Sequence, residues 1–252
     1  GVAAQVAGVA LAALAATLGF RIDLPALLPL LASFLVVTIA AERAGMAQLT
    51  LGSRAPAILV GVTVWLIGAS ALALLHQDAG ARAVGLACAA TAAWLTKDDI
   101  ARRLLRTDGL RRFNGAALLL GYGWLLLGGL TWALAGVPAR QEVYDLVIHT
   151  IFVGFGLSMV LAHAPIIFPA VLGRPLPFAP LLWVPLALLH GGMAVRVAGD
   201  LTASAAVWQT GGVVQVLAAL AMAGSVLGLA LRGDRTPRAR AGVRTTPKED
   251  AR

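Results

Sequence analysis

Long runs of apolar residues separated by short polar stretches dominate the chain. A helix rises about 1.5 Å per residue and the hydrocarbon layer is about 30 Å thick, so about 20 mostly apolar residues are needed to cross it. The pattern predicts an all-α fold, a polytopic bundle of eight transmembrane helices. Their approximate bounds are Val2 to Phe20, Leu24 to Ala41, Ala55 to Leu75, Ala83 to Thr96, Gly115 to Gly136, Tyr144 to His163, Pro177 to Ala198 and Ala203 to Leu231. The fourth is short and rich in alanine.

Composition supports membrane embedding and narrows the chemistry. Hydrophobic residues make up 59% of the 252 residues and charged residues only 13%, whereas a soluble domain carries about a quarter charged residues. The single cysteine, Cys88, excludes disulfide scaffolds and CxxC motifs. The sequence contains no GxSxG, HExxH or P-loop motif. We therefore expect enzymatic activity only if a bound redox cofactor supplies the chemistry.

The basic residues predict the orientation of the spans. With the first residue in the cytoplasm, all but four of the 20 Lys and Arg residues fall on the cytoplasmic side. The exceptions are Arg21, Arg82, Arg140 and Arg196. This asymmetry follows the positive-inside rule. It predicts that both termini are cytoplasmic and that the protein lies in a cytoplasmic (inner) membrane.

A basic linker divides the chain into two predicted halves. Residues 1–96 form a four-span scaffold, residues 97–114 a cytoplasmic linker, residues 115–231 a four-span half that carries most histidines, and residues 232–252 a basic, disordered tail. For the linker we favour a solvated loop over a short interfacial helix. Because the cations from Lys97 to Arg112 and in the tail adjoin apolar segments, their predicted partners are anionic lipids and not nucleic acid.

Histidines within the spans are the main candidates for chemistry, because ionisable groups are costly in hydrocarbon. His149 lies near the start of the sixth span and His190 before the end of the antiparallel seventh, which predicts similar depths on the outer side. His76, at the end of the third span, lies on the same side. His163 falls near the cytoplasmic face.

Two imidazoles at matched depth predict a haem b site with His149 and His190 as axial ligands. A third histidine such as His76 would also suit copper, and His163 is a further candidate metal ligand. Asp145, four residues before His149, is placed to accept its second ring N–H, and Arg196 to pair with a haem propionate. The alternative is that these histidines only make hydrogen bonds between helices, which we favour for His76 and His163 taken alone.

The stretch HTIFVGFGLSMVLAHAPIIFPAVLGRP, from His149 to Pro175, resembles the NnrS family of polytopic membrane proteins. The matching elements are His149, Gly154, Phe155, Met159, Gly173, Arg174 and Pro175. The resemblance extends over about 143–231 and implies binding of haem or copper, with His149 as the transferable ligand, and a role in bacterial responses to nitric oxide. Family members are usually longer, and often have further His and Glu residues where this chain has Val147 and Thr150.

The leading hypothesis is therefore an integral membrane haem or copper protein linked to nitric oxide, redox stress or membrane electron transfer. Its predicted partners are a membrane redox protein or a second copy of the chain. Two axial histidines would favour electron transfer, because they leave no open coordination position on iron. The alternatives are a small-molecule transporter or permease, with helix breaks near Pro165, Pro169 and Gly191, and a non-catalytic accessory subunit of a membrane complex.

Overall fold

The computed structural model describes residues 1–19, 24–51, 54–172 and 178–233, and every regular element within these ranges is helical. A π-helical segment at His149–Leu157 joins α7 to α8 without a break, and a 3-10 turn at Pro180–Leu182 leads into α9. The α-helices are α1 Val2–Leu18, α2 Leu24–Leu51, α3 Arg54–Leu75, α4 Gln77–Asp98, α5 Ala101–Leu104, α6 Gly109–Ala135, α7 Gln141–Ile148, α8 Ser158–Leu172, α9 Trp183–Thr202 and α10 Ala205–Gly233.

Six helical stretches in the described ranges are long and apolar enough to cross a membrane. They are Leu24–Gly45, Arg54–Leu75, Gly109–Ala135, Gln141–Ile167, Pro180–Thr202 and Ala205–Leu229. The other two predicted spans also coincide with helices, but α1 has only 17 residues and α4 carries charged side chains near both ends. The prediction of an all-helical bundle with helices long and apolar enough to cross a membrane is confirmed. The count of eight spans and the cytoplasmic termini stay predictions.

Two boundaries differ from the sequence prediction because carboxylates organise the local backbone. In the predicted linker, Asp99 Oδ1 accepts the backbone N–H of Ala101 at 2.8 Å, and the short helix α5 follows where a loop was favoured. At the other end of α4, Asp78 Oδ2 accepts Arg82 Nε–H at 2.8 Å, one turn later. This pair lies within a helix that starts at Gln77, six residues before the predicted span.

The first turn of α4 also fixes the end of α6. Arg82 donates to the last carbonyls of α6, and Asp78 Oδ1 accepts the Val137 N–H at 3.0 Å. The hydrogen bond from Arg82, and then that from Val137, hold the pKa of Asp78 below its usual value. Gly136 ends α6 at φ 70°, a conformation that favours glycine. These contacts join the first turn of α4 to the last turn of α6.

Close backbone contact between α4 and α6 forms the centre of the bundle. A Cβ atom added to Gly85 would lie 2.4 Å from the Ala133 backbone nitrogen, and one added to Gly129 would lie 2.6 Å from that of Ala89. Small residues of this kind permit tight packing of membrane helices. Because α4 and α6 lie on opposite sides of the linker, the predicted halves share one hydrophobic core.

The α9–α10 hairpin lies at the edge of the bundle. The two helices pack mainly against each other, while α9 also contacts α7 and the π-helical segment. Most of α10 is unburied, and its exposed apolar side chains include Val213, Val216 and Leu220. The hairpin leaves an open apolar groove beside the π-helical segment, where the candidate site lies.

Valine at Gly129 is expected to destabilise the bundle by about 1–3 kcal/mol or more, because the added side chain must displace the α4 backbone. Gly123→Val is the matched control on the same helix, since a Cβ at Gly123 meets no atom within 4 Å. Denaturation of both variants in mild detergent measures the difference. Equal stability of the two variants would contradict the backbone contact between α4 and α6.

Candidate functional site

A buried ion pair joins α7 to α9 at the outer end of the predicted topology. Arg196 Nε–H donates to Asp145 Oδ2 at 2.8 Å, and Nη2–H donates to Oδ1 at 2.7 Å. Both side chains are 8% exposed. This parallel, two-bond geometry is the strongest form of an arginine–carboxylate contact. The sequence placed both residues near His149 and His190 but did not predict that they bind each other.

Trp208 of α10 adds a third element to the pair. Its Nε1–H donates to Asp145 Oδ2 at 2.9 Å, and the Arg196 guanidinium carbon lies 4.1 Å from the centroid of the Trp208 ring. A cation over an aromatic face is attracted by the ring quadrupole. Gly211 lets α10 approach closely, since a Cβ there would lie 2.5 Å from the Arg196 backbone nitrogen.

Asp145 orients His149 as predicted from their spacing. His149 Nδ1 lies 3.0 Å from the Asp145 backbone oxygen and 3.2 Å from Oδ1 of the same residue. Because both neighbours are acceptors, Nδ1 carries the proton in the neutral imidazole. The other nitrogen, Nε2, then has a free lone pair, and it makes no hydrogen bond to a described residue.

His149 lines an apolar groove between the π-helical segment and α10. The groove has a volume of about 790 Å³, within the range of about 300–1,000 Å³ typical of ligand sites. π-Helical geometry is rare and often occurs at functional sites. The walls consist mainly of aliphatic side chains, with His149, Arg196, Trp208, Gln209 and Gln215 as the polar and aromatic members.

His190 has its own partners and does not line this groove. Trp124 Nε1–H donates to His190 Nδ1 at 2.8 Å, which leaves the ring proton on Nε2. That nitrogen lies 3.4 Å from Ser158 Oγ. Trp124 also fills the space beside Gly154, where a Cβ would lie 2.6 Å from the indole ring. The predicted use of His190 as a second axial ligand stays a prediction, and both of its ring nitrogens are engaged.

The other two histidines lie apart from the groove. His163 Nε2 lies 3.1 Å from Glu42 Oε1 and its Nδ1 lies 2.6 Å from the Met159 carbonyl oxygen. His76 is exposed at the turn before α4. Within the described ranges, no group of three or more His, Cys, Asp and Glu residues is arranged to hold a metal ion. Metal binding by His76 or His163 stays a prediction, as does the binding of copper by the protein.

Asp200, one turn beyond Arg196, has a buried carboxylate oxygen without a hydrogen bond to any described residue. The residue is 7% exposed, and its Oδ2 has no hydrogen-bond partner among the described residues. Asp200 and Asp145 line the same pocket of about 280 Å³ at the outer end, together with Glu142, Ser204 and Trp208. Asp200 was not among the predicted site residues, because the seventh predicted span ended at Ala198, whereas the helical stretch in the structure continues to Thr202.

A second buried arginine–aspartate pair lies at the opposite end of the bundle. Arg43 Nε–H and Nη2–H each donate to one oxygen of Asp99 at 2.7 Å, and the hydroxyl of Tyr122 donates to Asp99 Oδ2 at 2.9 Å. The pair connects α2, the α4–α5 junction and α6. These side chains do not line the groove, and they hold three parts of the bundle together, so we assign this second pair to stability.

The chain belongs to the family described as domain of unknown function (DUF8744), whose model matches residues 1–231. No curated protein matches the chain significantly, and no solved structure does. The Gly173-Arg174-Pro175 part of the predicted NnrS resemblance lies outside the described residues.

Proposed function

We propose that this protein is a membrane haem protein in which His149 would be the histidine that binds the iron and the groove beside the π-helical segment would hold the macrocycle. The observation that carries the proposal is the fixed orientation of His149. Asp145 engages Nδ1 from its backbone and side chain, so Nε2 is the nitrogen left to bind iron. A histidine that binds a metal through one ring nitrogen usually donates the N–H of its other ring nitrogen to a carboxylate or a carbonyl.

Arg196 has a donor that could bind an anionic group of the same ligand. Its Nε and Nη2 are used on Asp145, whereas Nη1 makes no hydrogen bond to a described residue. A Cβ at Gly212 would lie 2.9 Å from Nη1, and both residues line the groove. A haem propionate fits this donor, because guanidinium–carboxylate bonds are strong where water is scarce.

The remaining walls suit an apolar macrocycle. Val153 and Leu157 follow His149 at intervals of four residues on the π-helical segment, and Val213 and Val216 face them from α10. Flat apolar ligands are held mainly by burial of their surface, with a few polar groups setting the orientation. The groove therefore offers an imidazole, a guanidinium and an aliphatic surface in one place.

A haem held by His149 would supply an iron able to bind a diatomic gas such as nitric oxide. His190 is not assigned as a second ligand, because Trp124 and Ser158 engage its two ring nitrogens. Within this proposal, gas binding or sensing is favoured over simple electron transfer. The role of the chain itself is to orient the imidazole, pair the propionate and exclude water.

Absorption spectra of the full chain, purified in detergent from haem-replete cells, test this proposal. Wild-type protein is expected to show a Soret band and, after reduction, α and β bands. His149→Ala is expected to lose the bound haem, whereas His190→Ala, its matched control on the facing span, is expected to keep it.

Two results would overturn the assignment. A colourless wild-type protein, or one that contains copper and no haem by metal analysis, would overturn haem binding. Equal loss of haem from the two variants would overturn the single-ligand geometry and support His149 and His190 as a pair.

A further inference from the structure

We propose that Asp200 is a proton-binding site, at which the carboxyl group is protonated in neutral solution and exchanges its proton with the medium at the outer end of the bundle. Its Oδ2 is buried and has no hydrogen-bond partner in the described part of the chain. An ionised carboxylate is costly in such a place, and protonation removes that cost.

The nearest titratable group strengthens this conclusion. Asp145 lines the same pocket as Asp200, and two carboxyl groups close together where water is scarce hold one proton between them because both cannot ionise cheaply. Asp145 is the ionised member, since Arg196 and Trp208 donate three hydrogen bonds to its oxygens. Asp200 is therefore the member that keeps the proton.

The other charged groups around Asp200 do not neutralise a second carboxylate. On its own helix, the cation of Arg196 is already paired with Asp145. On α7, Glu142 is a further acid, paired with Arg140 at 3.4 Å. His149 directs its Nδ1 towards Asp145 and not towards Asp200, and α10 contributes only the uncharged Ala205 and Trp208 to this pocket. Ionised Asp200 would add a negative charge with no cation of its own.

The pocket gives this proton a route to the medium. Gln141, Glu142 and Ser204 line it beside the two aspartates, at the ends of α7 and α9. Asp145 also accepts the hydrogen bond from His149 Nδ1. A change of protonation at Asp200 therefore alters the acceptor that holds His149. This last consequence rests on the proposed function, whereas the proton site itself does not.

Infrared difference spectroscopy of the full chain without haem tests the proton site. Wild-type protein at neutral pH is expected to show the carbonyl stretch of a protonated carboxylic acid, shifted in D2O and lost at high pH. Asp200→Asn should abolish this band, whereas Asp108→Asn, at an exposed aspartate before α6, should leave it unchanged. Asparagine keeps a donor in place of the protonated oxygen, so Asp200→Asn should fold.

The pH dependence of thermal unfolding provides a second measurement. Wild-type protein should become less stable as the pH rises and Asp200 ionises beside Asp145, and Asp200→Asn should lose this dependence. Absence of the carbonyl band from wild-type protein, or its persistence in Asp200→Asn, would overturn the proposal. Because neither measurement uses haem, a failure here is distinct from a failure of the haem spectra.

Discussion

Replacement of Asp99 by asparagine is expected to lower the free energy of unfolding by about 3–5 kcal/mol, the range for breaking a buried ion pair. Asp99 accepts two hydrogen bonds from Arg43 and one each from Tyr122 and the backbone of Ala101. Asparagine has only one acceptor oxygen and leaves the buried guanidinium without a counter-charge. Because arginine cannot release its proton in proteins, this cation stays charged in the variant.

Chemical denaturation in detergent, followed by circular dichroism, measures the loss. Arg140→Met is the control for removing a partner from an exposed pair, because Arg140 is 71% exposed and lies 3.4 Å from Glu142. Arg140→Met should lower the free energy of unfolding by less than about 1 kcal/mol. The double variant Asp99→Asn with Arg43→Met should recover part of the stability, since it removes the unpaired cation. A stable Asp99→Asn protein would contradict the buried pair.

The sequence predicted the helices well because apolar length is a direct physical requirement of a bilayer. The runs that became α2, α3, α6 and α10 need no tertiary information. The ends of the helices were less predictable. The start of α4 depends on the contact of Asp78 with Val137, about sixty residues away in sequence, and a hydropathy pattern carries no information about such a contact.

The candidate site was predictable only where spacing within one helix decides the geometry. The contact between Asp145 and His149 follows from their separation of four residues and is present in the structure. Depth in the membrane placed His190 near the same level, but it could not fix the rotation of α9. That rotation directs Arg196 to Asp145 and His190 to Trp124.

The contacts that α10 makes with Asp145 could not be predicted from the sequence. Trp208 contacts Asp145 because Gly199 and Gly211 allow α9 and α10 to touch. A Cβ at Gly199 would lie 2.4 Å from the Trp208 backbone nitrogen. The sequence shows these glycines and the tryptophan, but many arrangements of small residues produce close helix contacts. Which pair of helices meets there is a property of the whole bundle.

The two buried pairs have different consequences because of what surrounds them. Asp99 is enclosed by α2, α5 and α6, and its hydrogen bonds serve only to hold those helices. Asp145 lies between the apolar groove and an acidic pocket, and it contacts His149 on one side and lines the pocket together with Asp200 on the other. The same ion-pair chemistry therefore supports packing at one end and orients His149 at the other.

Asp145→Asn is expected to lower the free energy of unfolding by about 3–5 kcal/mol and also to weaken haem binding through His149. Asparagine retains one oxygen where Arg196, Trp208 and His149 now share two, and it leaves the Arg196 cation without its counter-ion. Loss of a carboxylate behind a ligating histidine typically costs about 10–100-fold in affinity. Denaturation and haem titration of the same preparation measure both effects.

Adding Arg196→Met to Asp145→Asn separates stability from ligand binding. The double variant removes the unpaired cation, so it should regain part of the lost stability. It cannot restore the carboxylate behind His149 or the donor for a propionate, so its haem affinity should stay low. Glu142→Gln, one turn before Asp145 and half-exposed, should change neither quantity. Recovery of haem affinity together with stability would show that Asp145 acts only through packing and would contradict its role in orienting His149.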